Sequence, residues 1–144
     1  MNNALVQSSQ RPPTRPAPAA GDYLGRGLAF PLLPTAGRLG IAIGPDAVAQ
    51  SIIAILDTEP GERVMRPDFG CGLRAFLMEP NSVATRARIQ REVANALRIW
   101  EPRIVLESVE VVPGEDPAQI LIGIAYVHVR DRRPGSVVYE LALR

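Results

Sequence analysis

The chain has 144 residues, 47% of them hydrophobic, with 16 basic and 15 acidic side chains and a formal net charge of +1. That size and composition describe one globular domain able to bury a core, and a charge so near zero supplies no field to gather nucleic acid or anionic lipid. The single cysteine, Cys71, excludes an internal disulfide framework and multi-cysteine metal sites, and no apolar run nears the roughly 20 residues that span a bilayer.

Every basic residue is arginine, which supplies planar forks suited to carboxylates. No basic-then-apolar leader pattern opens the chain, so a cytoplasmic location is expected. Residues 1–20 hold Pro12, Pro13, Pro16 and Pro18 with few large apolar groups, the composition of a flexible or partner-ordered arm. Residues 21–144 read as a single domain. Its first part, Tyr23 to Ile43, mixes Leu24, Leu28, Phe30, Leu32, Leu33, Leu39 and Ile41 with glycines and prolines, and predicts a docked, irregular segment with one or two short strands.

Gly44-Pro45-Asp46 is a helix opening, because proline fits the first helical position and an acid suits the N-terminal end of the dipole. Val48, Ile52, Ile55 and Leu56 recur at helical spacing, which predicts a helix over 46–58. Glu62 to Leu73 cannot continue it: Pro67 disfavours helix at Arg66, and Gly70 and Gly72 suit positive φ or close backbone approach. This stretch is a shaped loop. A turn of helix near 74–78 follows, and Asn81 or Ser82 caps a long helix over 82–100 whose apolar face is Ile89, Val93, Ala96, Leu97 and Trp100. Arg88, Arg91, Glu92, Asn95 and Arg98 lie elsewhere on that cylinder, as a solvated face.

After Pro102 the period changes to two. Val105, Val109 and Val111, then Ile120, Ile122, Ile124 and Tyr126, then Val137, Tyr139, Leu141 and Leu143 each mark one side of a strand. The joining segments, Pro113–Pro117 and Arg130–Gly135, are short and turn-rich. The fold class is α+β: a small, mainly antiparallel sheet, its C-terminal part a three-strand meander, covered by two main helices and preceded by an irregular N-terminal arm. The last strand is either central, an edge blunted by Glu140 and Arg144, or an edge open to a partner strand.

Catalysis would have to draw on Glu59, Glu62, Asp68, Glu79 and Glu101, yet their neighbours Arg63, Arg66, Arg74 and Arg103 suggest ion pairs that hold them ionised. No phosphate-binding glycine loop or metal-ligand cluster is present, so no catalytic, cofactor or metal residue is assigned. His128 reads as a packed or surface residue, Cys71 as a small buried one and Trp100 as core. Glu101 and Arg103 flank Pro102 at a helix-to-strand corner, which suits an internal clamp or a partner contact.

The order Gly61-Glu62-Arg63, Arg66-Pro67-Asp68-Phe69-Gly70-Cys71-Gly72-Leu73, Phe76, Pro80, Asn81, a long helix and Trp100-Glu101-Pro102-Arg103-Ile104 resembles the baseplate wedge and sheath-initiator family of contractile injection systems. The likeness covers about residues 40–144. It implies a non-enzymatic subunit assembled in the cytoplasm and present in six copies around a tube. The implied partners are baseplate wedge proteins, a sheath protein and inner tube or hub proteins, with no nucleic acid and no membrane. Glu101, Pro102 and Arg103, with Arg66, Asp68 and Phe69, are the implied wedge contacts. Tyr139 and Leu141 mark a strand on which the first sheath ring forms by strand exchange. The resemblance also implies that Arg103→Ala stops assembly while leaving the isolated fold nearly intact. A lysozyme label carried by some family members is not transferred, given the arginines beside the acids.

Overall fold

A computed structural model describes residues 22–34 and 36–143. The arm expected over residues 1–20 and the blunting role of Arg144 lie outside the described residues. The chain runs from a 3-10 turn at Asp22–Leu24 through β1 (Arg26–Leu28), β2 (Ile41–Ile43) and α1 (Pro45–Asp57) to a second 3-10 turn at Leu73–Phe76. It continues through α2 (Val83–Trp100), β3 (Ile104–Pro113), β4 (Gln119–His128) and β5 (Pro134–Ala142). The fold is α+β, as expected: β3, β4 and β5 form an antiparallel meander with β4 central, and β1 pairs antiparallel with β2 in a separate two-stranded sheet.

The helices begin where local chemistry dictates. Pro45 occupies the first position of α1, and Ala47, Val48, Ile52, Ile55 and Leu56 turn inward. At α2 the Ser82 hydroxyl accepts a hydrogen bond from the Thr85 amide at 3.1 Å, satisfying one of the donors that a helix start leaves open. Asn81 donates its Nδ2 to the Pro117 carbonyl at 2.9 Å, tying this end of α2 to the β3–β4 turn. Ile89, Val93, Ala96 and Leu97 then meet Ile120, Ile122, Ile124, Val137, Leu141 and Leu143 from the sheet in one apolar cluster.

One strand departs from simple alternation. The β3–β4 register slips between Leu106 and Ser108, leaving Glu107 as a bulge. Ile104 and Val109 are buried, Leu106 and Val111 are half-buried, and Val105 is 47% exposed. Val105 therefore faces away from Val109 and Val111, because the inserted residue reverses the parity of everything before it.

The N-terminal hairpin covers little of its own apolar surface. Leu28, Phe30, Leu33 and Ile41 are at least half exposed. Among the described residues no helix is long and apolar enough to cross a membrane.

Candidate functional site: a docking corner and a free sheet

Two segments separated by α2 meet at its C-terminal end. The first is the loop after α1, which is ordered by its backbone. The Cys71 amide donates to the Thr58 carbonyl at 2.8 Å, the Gly61 amide to Pro67 at 2.6 Å and the Phe69 amide to Arg66 at 3.1 Å. Gly70 sits at φ +123°, and a Cβ there would stand 2.1 Å from the Thr58 carbonyl oxygen, so only glycine fits. The Phe69 ring lies 5.2 Å from Trp100 in a tilted stack, while the Arg63 guanidinium covers it at 3.9 Å. Thus the loop is pinned to the last residue of α2, and its tip projects Val64 and Met65, 94% and 91% exposed.

The second segment is the Glu101-Pro102-Arg103 corner. Glu101 is buried, and Arg103 grips both its oxygens: Nε donates to Oε1 at 2.6 Å and Nη2 to Oε2 at 2.5 Å. The remaining Arg103 nitrogen, Nη1, donates to the Leu24 carbonyl at 2.6 Å. Burial by itself would push the Glu101 carboxyl up, but hydrogen bonds from Arg103 and Ser51 and the Arg103 charge outweigh it and hold the pKa below the ordinary value. The hydrogen bonds from Arg103 to Glu101 raise the guanidinium's own pKa against desolvation. A bidentate pair in this setting is charge-assisted and fixed in direction. About a third of the Arg103 side chain, at 32%, stays in solvent, and Pro102 is exposed beside it.

The corner is therefore an internal clamp at Glu101 with an accessible face at Pro102 and Arg103. This geometry changes what an alanine at Arg103 tests, since truncation would leave a buried carboxylate unpaired and the fold would not remain nearly intact. Arg66 and Asp68 are exposed on the loop and make no ion pair among the described residues. The ion pairs expected between the loop acids and their arginines do not form there. Arg63 chooses the Phe69 ring, and the Glu59 carboxylate accepts from the Arg74 backbone amide at 2.7 Å.

At the sheet, Tyr139 and Leu141 face the helices. Leu141 is buried, and the Tyr139 hydroxyl donates to Asp57 at 2.6 Å, tying β5 to the end of α1. Burial, then the Asp57 bond, push the Tyr139 pKa well up. Beyond β5 and beyond β3 no further strand pairs among the described residues. Val64 and Met65 escaped the sequence-level selection of site residues; their one signal was an apolar pair bracketed by charges between Gly61 and Pro67.

Two further titratable side chains, Cys71 and His128, are buried. Burial pushes the Cys71 thiol up to about 12, which keeps it protonated and unreactive. His128 is buried against Tyr126, their rings 5.5 Å apart and nearly perpendicular. Among the described residues no group of three or more metal-ligating side chains comes together. What the described surface offers is therefore geometry and not chemistry: a rigid corner at the end of α2 and a three-strand sheet with no described strand beyond β3 or β5.

A family model for "Baseplate wedge protein gp25" matches residues 44–132, more than half of the chain, and the chain belongs to that family of structural, non-enzymatic components of phage-tail-like contractile systems. It is 31% identical over 85 residues to the baseplate wedge protein gp25 of Enterobacteria phage T4, a match covering 59% of this chain and 64% of the phage protein. The chain thus spans less than two thirds of that relative. A Geobacter sulfurreducens structure, whose description as a tail lysozyme is itself provisional, is similar with TM-score 0.64 and 41% identity, over 68% of this chain and 89% of its own. A chain of the anti-feeding prophage baseplate is similar with TM-score 0.59 and 25% identity, over 83% of this chain and 86% of its own.

Proposed function

We propose that this chain is a baseplate subunit that joins wedge proteins to the first ring of the sheath in a contractile, phage-tail-like particle. The wedge-facing surface is the corner: Arg66, Asp68 and Phe69 from the loop, with Glu101, Pro102 and Arg103 after α2. Glu101 contributes by fixing the Arg103 fork, and Arg103 and Pro102 present the contact itself. The sheath-facing surface is the meander, held against α1 through Tyr139 and Leu141, whose outer backbone accepts a strand from a sheath subunit. Six copies surround the tube, next to inner tube or hub proteins, and assembly takes place in the cytoplasm. The mechanism is nucleation: a preformed sheet spares the first sheath subunits the cost of ordering a pairing partner.

The observation that carries this reading is the position of β4 at the centre of the meander, which leaves a strand on each side with an unpaired backbone. A photo-crosslinking residue in place of Val138, 71% exposed on β5, tests it in assembled particles. The expected product is an adduct with a terminal segment of the sheath protein. A corresponding residue at Val112 on β3 distinguishes the two edges. Particles in which neither position joins the sheath would overturn the strand-exchange role.

A further inference from the structure

The face of α2 turned away from the core is unlike the rest of the molecule. Arg88, Arg91, Asn95 and Arg98 are all exposed and spaced three, four and three residues apart, which places them within an arc of about 80° along about 15 Å of helix. Arg88 pairs with Glu79 at 2.7 Å yet remains half exposed. Arg91 and Arg98 make no ion pair among the described residues. Glu92, the one acid of the helix, is exposed at the border of this stripe, lining one depression with Arg88, Arg91 and Asn95, and its carboxylate reaches toward Gly72 and Cys71. Arg88 is engaged within the fold, by Glu79 and over the Phe76 ring at 5.0 Å, but Arg91 and Arg98 are not explained as self-stabilisation. Alpha2 carries four arginines and no acid in its first turn, where an acid would favour the dipole, and its Arg88 and Glu92 are in the less favourable order for an ion pair.

Charge is also separated across the fold. Residues 104–128, making up the β3–β4 hairpin, hold Glu107, Glu110, Glu115 and Asp116 and no arginine, so the near-zero net charge conceals a basic helix packed beside an acidic hairpin. We propose that the outward face of α2 is a docking surface for an acidic helix of another protein, read by Arg88, Arg91, Asn95 and Arg98. A helix is the fitting occupant because the stripe follows one helical face, and a second helix laid along it can present carboxylates at the same rise. Guanidinium forks take carboxylates two bonds at a time, and Asn95 bonds either a carboxylate or an amide between them. Nucleic acid is disfavoured, since a duplex wide enough to cover α2 would also meet the acidic hairpin's field.

The surface is separate from the corner and the sheet edges, and its test uses the purified full chain without reference to assembly. A labelled helical peptide with glutamates at i, i+3, i+7 and i+10 is titrated by fluorescence anisotropy beside a composition-matched scramble and a DNA duplex of equal charge. The periodic peptide should bind about tenfold more tightly than the scramble, as three surface ion pairs each worth a factor of about two, with a hydrogen bond from Asn95, would give. R91E/R98E should abolish that preference, whereas R38E/R132E, with the same change in net charge, should retain it; circular dichroism confirms that both stay folded. Equal binding of the two peptides, a stronger response to the duplex, or equal loss in both double variants would overturn the proposal.

Discussion

Arg103→Ala removes a fork that satisfies both oxygens of a buried carboxylate and one backbone carbonyl. The expected cost is about 3 kcal/mol, the low end for breaking a buried pair, because part of Arg103 is already in water. Urea denaturation of Arg103→Ala and Glu101→Gln/Arg103→Ala checks this: the double variant should recover part of the loss, since it removes the stranded charge as well. The same pair makes stability depend on acid. Glu101 is held below its ordinary value of 4.5, so folding binds fewer protons than unfolding near that value. Its contribution is complete above that pH and disappears as pH falls through the depressed native value. Wild type should therefore lose urea resistance over that acidic range more steeply than Glu101→Gln; parallel losses would contradict the assignment.

At the scale of the element, the loop after α1 combines a rigid base with an exposed tip. Gly70→Ala forces a methyl into the Thr58 carbonyl at a φ of +123°, and should cost more than about 3 kcal/mol or prevent folding, read as a thermal melt. Gly61→Ala meets no atom within 4 Å, so only its φ of +91° opposes it and about 1 kcal/mol is expected. Val64→Ser with Met65→Ser should leave stability within about 0.5 kcal/mol, since both side chains stand in water, while weakening retention in the baseplate. Much of this was legible in sequence: the proline at the start of α1, the serine cap of α2 and the alternation in β4 and β5 each rest on chemistry within a few residues. The bulge at Glu107 was not, because nothing in Leu106-Glu107-Ser108 signals an extra residue until β4 fixes the pairing. Nor was the meeting of Phe69 with Trp100, a tertiary contact, or the burial of Glu101, which depends on Arg103 reaching it around a proline.

For the whole molecule, the buried core and the exposed apolar groups occupy different places. The core lies between the helices and the meander, while exposed apolar groups are densest on the N-terminal hairpin, stand paired at the loop tip and are scattered singly over the helices and strands. An uncovered hairpin bearing Leu28, Phe30, Leu33 and Ile41 should bind a hydrophobic dye in the isolated native protein. Phe30→Ser with Leu33→Ser should reduce that fluorescence without lowering the melting temperature by more than a few degrees; unchanged emission would place the dye elsewhere. The corner links these regions, because Arg103 reaches back 79 positions to the Leu24 carbonyl. That bond closes a long loop of chain with one charged contact, made by the guanidinium that also orients Glu101. One side chain thus joins the start of the hairpin to the far end of α2, and its loss would loosen both.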